Sequence, residues 1–198
     1  MKDMLRLTLS SVGSIKNDDN LCVVLLVEKE LNLQLSFITD KYMGRQLSMR
    51  MDRSPVNKSR LDRLLPEAMW ESMRGFSDSG DYEMCIESVR KDGEYHTFLY
   101  NNIYGGRYEI RLVDAVLLQE VSGIPLYILS NLAKRQMLPC CEKRNVTALP
   151  LNVMPLEVLE KTLDECIEKE DYHAAKTLND EINKRKSIIK EENKDEGN

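Results

Sequence analysis

At 198 residues, 42% hydrophobic and 31% charged, the chain can fill one ordinary core and carry an appended element, and it is too short for a large multidomain enzyme. Its longest wholly apolar run, Leu21 to Val27, falls far below the roughly 20 residues that cross a bilayer, and Met1-Lys2-Asp3-Met4 does not read as a secretory signal, so the expected compartment is the cytoplasm. The net charge of −5 comes from the last quarter, where residues 151–198 carry 8 Lys/Arg against 13 Asp/Glu while the first 150 balance at 20 against 20; nucleic-acid binding would need a local patch.

Leu5, Leu7 and Leu9 alternate with Arg6, Thr8 and Ser10, the period of a half-buried strand. Asn17 to Asn20 is turn chemistry, after which Leu21–Val27 gives a second strand and Leu31, Leu33, Leu35 and Phe37 a third. Helical spacing follows over Lys41–Met51, through Met43, Leu47 and Met51. It returns over Leu61, Leu64, Leu65, Met69 and Met73, and Gly75 stops that helix. Trp70 sits among Met69 and Met73 as a core side chain rather than a base-stacking one. Strands through Tyr82–Ile86 and Tyr95–Leu99 flank the hairpin dipeptide Asp92-Gly93, and Gly105-Gly106 leads to a short strand at Tyr108–Ile110. A helix over Val113–Val121 ends at Gly123 and returns through Pro125 to the strand Leu126–Leu129. This much hairpin chemistry predicts an α+β domain, a mostly antiparallel sheet with inserted helices, over residues 1–135.

Periodicity lapses over 136–153, which reads as a linker containing Pro139, Cys140, Cys141 and Pro150. The five cysteines are odd in number and irregular in spacing, which argues against a disulfide framework or a structural zinc site. Beyond the linker, Leu156, Leu159, Leu163 and Cys166 recur at helical steps. After a break near Asp171, so do Ala175, Leu178, Ile182, Arg185 and Ile189, the arginine lending its aliphatic stem. Two such helices must fold back as an antiparallel hairpin over 154–191, with a frayed tail at 192–198. A second apolar edge of Ile167, Leu178, Ile182, Ile188 and Ile189 predicts self-association, most simply as a symmetric dimer, against the plainer option that the hairpin packs back onto the first domain.

Glu157 to Lys186, with Glu170-Asp171-Tyr172 before Ala174-Ala175, Leu178 and Ile182, resembles the UVR motif of nucleotide excision repair proteins B and C and of protein-quality-control adaptors. The resemblance implies a protein partner from DNA repair or proteolysis, met through Tyr172, Leu178 and Ile182. Residues 4 to about 135 resemble the bifunctional nuclease domain, on Arg107-Tyr108-Glu109-Ile110-Arg111, Asp114-Ala115 and Gly123-Ile124-Pro125-Leu126-Tyr127-Ile128. That resemblance implies hydrolysis of DNA or RNA assisted by Mg or Mn. Where the family tends to place His-Asp before paired leucines, this chain has Asp62-Arg63 before Leu64-Leu65.

Phosphodiester cleavage needs an anion to hold a metal or activate water and a cation to meet the developing phosphate charge. Asp114 and Arg111, together at a strand-to-helix junction, are the catalytic candidates, with Glu67 beside them; Asp114, Glu109 and Glu71 are the metal candidates. An aspartate in a first helical turn also suits the helix dipole, and Arg111 could simply pair with it. Arg45, Arg50, Arg53, Lys58, Arg60 and Arg63 form the densest basic stretch and the candidate nucleic-acid face, against the plainer option of a solvated connection. His96 and His173 lack partners visible in sequence. Two functions of different class stay open: a metal-assisted nuclease, and a noncatalytic adaptor that recruits a partner through its hairpin. Limited proteolysis is expected to cut first between Gln136 and Leu151; first cuts within 80–110 would overturn the division.

Overall fold

The computed structural model describes residues 3–15, 18–52, 61–140 and 150–195, with side chains as far as Ser187. The chain divides into two compact units. Unit 1 holds Met1–Ser88 and Tyr95–Ala148; unit 2 holds the turn Val89–Glu94 together with Leu149–Asn198. Among the described residues no helix is long and apolar enough to cross a membrane.

Unit 1 is α+β, built on a mixed, mostly antiparallel sheet of eight strands in the order β6-β5-β4-β7-β1-β2-β3-β8. Strands β1 (Met4–Ile15), β2 (Asp18–Glu28) and β3 (Leu33–Asp40) form an antiparallel meander. Asp18 to Asn20, expected in a turn, belong to β2, because a register shift between Ser14 and Ile15 brings Asp18 opposite Ile15. Leu31 leaves the third strand and is exposed. The Glu28 carboxylate accepts from the Glu30 and Leu31 amides, and Asn32 turns left-handed at φ 54°.

Helix α1 (Lys41–Met51) starts where Asp40 Oδ1 accepts from the Met43 amide, 2.9 Å away. Its Gly44 lies so close to β2 that a Cβ there would sit 2.6 Å from Cys22 Cβ. That burial, with lesser and opposing effects of Lys41 and Asp40, pushes the Cys22 thiol pKa up. Helix α2 (Leu65–Met73) starts four residues later than the apolar spacing suggests: Leu64 is extended, and Pro66 fixes the first turn.

A 3-10 turn (Ser79–Asp81) leads to β4 (Tyr82–Val89), β5 (Tyr95–Asn101) and β6 (Gly106–Ile110). Helix α3 (Leu112–Ser122) ends on Gly123 in the left-handed conformation, φ 78°. The chain returns as β7 (Leu126–Leu129), parallel to β4 and antiparallel to the first four residues of β1. The stretch past 130 holds more structure than its sequence suggests. Helix α4 (Ser130–Gln136) buries Leu132 and Ala133, and β8 (Leu138–Pro139) pairs with Leu33 and Gln34 of β3, so the expected linker gives its first residues to the sheet. Leu7, Leu26, Leu35, Leu47, Met84, Ile86, Leu117, Leu126 and Ile128 form the core, all at 0% exposure.

In unit 2 a 3-10 turn (Leu151–Val153) precedes α5 (Leu156–Glu168) and α6 (Tyr172–Asp195). Glu170 turns left-handed at φ 57°, and Asp171 Oδ1 accepts from the Ala174 amide to start α6. Leu159, Ala175, Leu178 and Ile182 close the seam. Arg185 contributes more than an aliphatic stem. Its side chain is 3% exposed, with Nη1 donating to the Met154 and Asp92 carbonyls at 2.5 and 3.2 Å. Nη2 donates to Leu151 O at 2.7 Å, and Nε to Glu181 Oε1 at 3.0 Å. One planar guanidinium thus joins α6, the 3-10 turn and the Val89–Glu94 turn, where Gly93 (φ 95°) leaves no room for a Cβ beside Nη1. Arg185→Met should therefore destabilise unit 2 by about 3 kcal/mol, since it strands buried carbonyls and Glu181. Arg185→Lys should recover only part of this in thermal unfolding, because an ammonium cannot reproduce the fork.

Candidate functional site

Unit 1 contains an apolar cleft of about 230 Å3 between α2 and α3, floored by β5 and β6 residues. Leu65, Met69, Trp70 and Met73 line it from α2, Asp114 and Leu118 from α3, and Leu99 and Ile110 from the sheet. Trp70 is nearly buried and meets the Tyr82 ring edge-on at 6.1 Å, which fixes the inner wall. Leu65 and Met69 stand at the mouth, 72% and 53% exposed. These two belong to the helical stripe that the sequence shows.

Asp114 is the one charged side chain of the lining. It sits in the first turn of α3, where the helix dipole favours an anion. Arg111, the residue before that helix, grips it with two of its nitrogens, Nε to Oδ2 at 2.7 Å and Nη2 to Oδ1 at 3.1 Å. Arg111 is 68% exposed and Asp114 24%, so the pair forms a charged lip on an otherwise apolar opening. The two leading catalytic candidates therefore do meet, as a bidentate ion pair.

The other candidates are dispersed. Glu67 lies in a second network, accepting from Arg50 Nη2 at 2.7 Å, and the Arg50 side chain is only 5% exposed. Arg50 Nη1 donates to the Gln46 carbonyl and Oε1, and its Nη2 also reaches Asp62 O. Gln46 Nε2 and the Tyr42 hydroxyl both donate to Asp62 Oδ2. The bond to Asp62 is the main cause that pushes the Tyr42 hydroxyl pKa up. Arg50, expected to face phosphate, is thus consumed inside the protein, and Glu67 with it. Glu71 pairs with Arg63 at 2.8 Å on the surface, while Arg45 is exposed on α1. Arg53, Lys58 and Arg60 lie outside the described residues.

Glu109 meets His96 Nε2 across β5 and β6 at 3.1 Å, and His96 Nδ1 lies 3.4 Å from Ser88 Oγ. Beside them Arg107 stacks on Phe98, 3.4 Å from its ring centroid, and donates to Glu87 and to the Tyr100 hydroxyl, which itself donates to Glu87. Partial burial, then the bond to Glu87, pushes the Tyr100 pKa up. Asp114, Glu109 and Glu71 each have a cationic or imidazole partner of their own. Among the described residues no three His, Cys, Asp or Glu side chains gather as a metal set.

In unit 2 the three partner candidates separate. Tyr172 is 70% exposed at the hairpin turn, whereas Leu178 and Ile182 are 4% and 3% exposed. Those two face the seam, which takes them out of the apolar edge expected from the sequence. Ile167 stays on the surface at 52% exposure. His173 is exposed in the first turn of α6.

No protein-family model matches the chain, and a search of curated proteins returned no match.

The Arg50 network is expected to be structural. Arg50→Met should cost about 3 kcal/mol in denaturant unfolding, by leaving Glu67 and Gln46 without their donor. Arg50→Met with Glu67→Met should recover more than half, because no half-buried charge is then left unpaired.

Proposed function

We propose that the protein is a noncatalytic adaptor, related in build to bifunctional nuclease and UVR proteins, whose hairpin turn recruits a protein partner. The observation that carries this is the turn itself. Ile167 and Tyr172 are held in solvent, 52% and 70% exposed, among the exposed acids Glu168, Glu170 and Asp171. The left-handed Glu170 and the Asp171 cap hold the turn in shape, so little ordering remains to oppose binding. An aromatic and an aliphatic side chain among three exposed carboxylates, with the intervening Lys169 paired to Glu165, suit a basic protein surface with an apolar pocket. The resemblance of the hairpin to the UVR motif points the same way, to a repair or proteolysis partner.

The nuclease reading keeps one observation in its favour. Arg111 and Asp114 stand together at the mouth of the cleft, and the guanidinium is exposed. If Mg or Mn joined them, Asp114 would have to exchange its tie to Arg111 for the metal, with Arg111 left to meet phosphate. The separate pairing of Glu67, Glu71 and Glu109 favours the adaptor.

Two measurements separate the readings. A photo-cross-linking residue at position 172 of the full chain should form a discrete protein adduct in cells, and Ile167→Asp should abolish it. Highly purified wild type should cleave neither DNA nor RNA with Mg or Mn. Cleavage that Asp114→Ala removes would establish the nuclease instead.

A further inference from the structure

We infer that the α2–α3 cleft binds a small neutral aromatic compound, a single ring with at most a short uncharged substituent. The lining sets this chemistry. Trp70, Tyr82 and Ile124 are its buried members, while Leu65 and Met69 are open to solvent, so the cleft passes from an exposed apolar rim to a buried aromatic end. A ring in that wall can meet a guest ring edge to face, as Trp70 already meets Tyr82. Met69 and Met73 add flexible, polarizable thioethers that adjust around such a guest. The Tyr82 hydroxyl donates to Ser77 Oγ at 3.3 Å, so its polar end is already served within the protein.

Size narrows the class. Pockets for drug-sized molecules run to roughly 300–1,000 Å3. An apolar cavity of about 150 Å3 takes up one benzene ring. At about 230 Å3 the cleft falls below the first range and exceeds the second, which suits one ring and a carbon or two more.

Charge narrows it further. Asp114 is the one charged side chain of the lining, and Arg111 meets both of its oxygens, at 2.7 and 3.1 Å. The lip is therefore neutral as a pair. A guest bearing an ammonium or a carboxylate would shed water against apolar walls and find no opposite charge in surplus to receive it. A free small molecule is favoured over a partner's side chain for the same reason, since a partner's backbone would need polar contacts at the rim and the charged group there is already matched. Every lining residue belongs to unit 1, so this site is independent of the adaptor reading, which rests on unit 2.

Trp70 is the only tryptophan in the chain and forms part of the cleft wall, so its emission reports occupancy. Toluene, benzoate and benzylammonium are to be titrated into the full chain at neutral pH and followed by Trp70 emission and thermal unfolding. Toluene should bind saturably, with a dissociation constant on the order of a millimolar or below, and raise the unfolding temperature. The two ions should bind at least about tenfold more weakly. Leu118→Phe and Met73→Phe, each of which brings a further ring into the cleft, should each weaken toluene at least about tenfold in protein that still unfolds cooperatively. Arg111→Ala should admit benzylammonium and still refuse benzoate, because Asp114 then lacks its counter-charge. Ile167→Asp in unit 2 should bind toluene like wild type. The proposal is overturned if toluene does not bind saturably, if both cleft-filling variants bind it like wild type, or if Ile167→Asp loses it, which would place the site outside the cleft. Equal binding of the three probes by wild type, or exclusion of benzylammonium by Arg111→Ala, overturns the neutral class of ligand.

Discussion

One strand holds both halves of the eight-stranded sheet together. Met4 to Leu7 of β1 pair with β7, and from Thr8 onward the same strand pairs with β2. At that handover Leu7 is fully buried, and its carbonyl accepts from Gln119 Nε2 of α3 at 2.8 Å. A one-residue slip of β1 would expose Leu7 and bury Arg6 or Thr8, so the apolar pattern fixes the register. With the register fixed, Gln119 sets where α3 lies on the sheet. The position of α3 in turn places Asp114 at its start and Leu118 in the wall of the cleft.

Charge follows the same economy throughout unit 1. Asp114, Glu67, Glu71 and Glu109 each meet a different cation or imidazole, and the basic residues that could have faced phosphate are partly consumed in doing so. Exposed pairs of this kind contribute little to stability, about 0–1 kcal/mol, but they leave the surface locally neutral. The two buried guanidiniums differ in quality. Arg185 has acceptors at all three of its nitrogens, whereas Arg50 Nε is buried without one. Among the described residues, the exposed apolar side chains include Leu65, Met69 and Phe76 in unit 1 and Ile167 and Tyr172 in unit 2.

Local signals in the sequence carried most of the architecture. Alternation at Leu5, Leu7 and Leu9, helical spacing from Lys41 to Met51, and glycines at 93 and 123 all act over a few residues, and the elements they mark are present. The rest of β1, Ser11 to Ile15, was hidden because its pairing with β2, not its own apolar content, makes it a strand. Helix α4 is seven residues long, too short for a period to declare itself, and β8 exists only because β3 offers it an edge. Of the site, Asp114 and Arg111 were legible as neighbours three apart. The Arg50–Glu67 pair spans 17 positions and depends on how α1 and α2 meet, and the cleft depends on how α2, α3 and the sheet come together. Arg185 was legible only as an aliphatic stem on the apolar stripe of its helix, since apart from Glu181 its partners come from two distant turns of chain.

The two ends of the sheet also bear on how the protein behaves when crowded. A free strand edge invites stacking with other chains, and natural sheets protect such edges with short strands, proline and charge. Here β8 is two residues long and ends in Pro139, which has no amide hydrogen to donate. At the far side β6 is five residues long and carries Arg107 and Glu109, which would have to shed water before another strand could lie against it. Growth of the sheet into filaments is thereby disfavoured at both margins, so the molecule can be concentrated without its backbone edges joining.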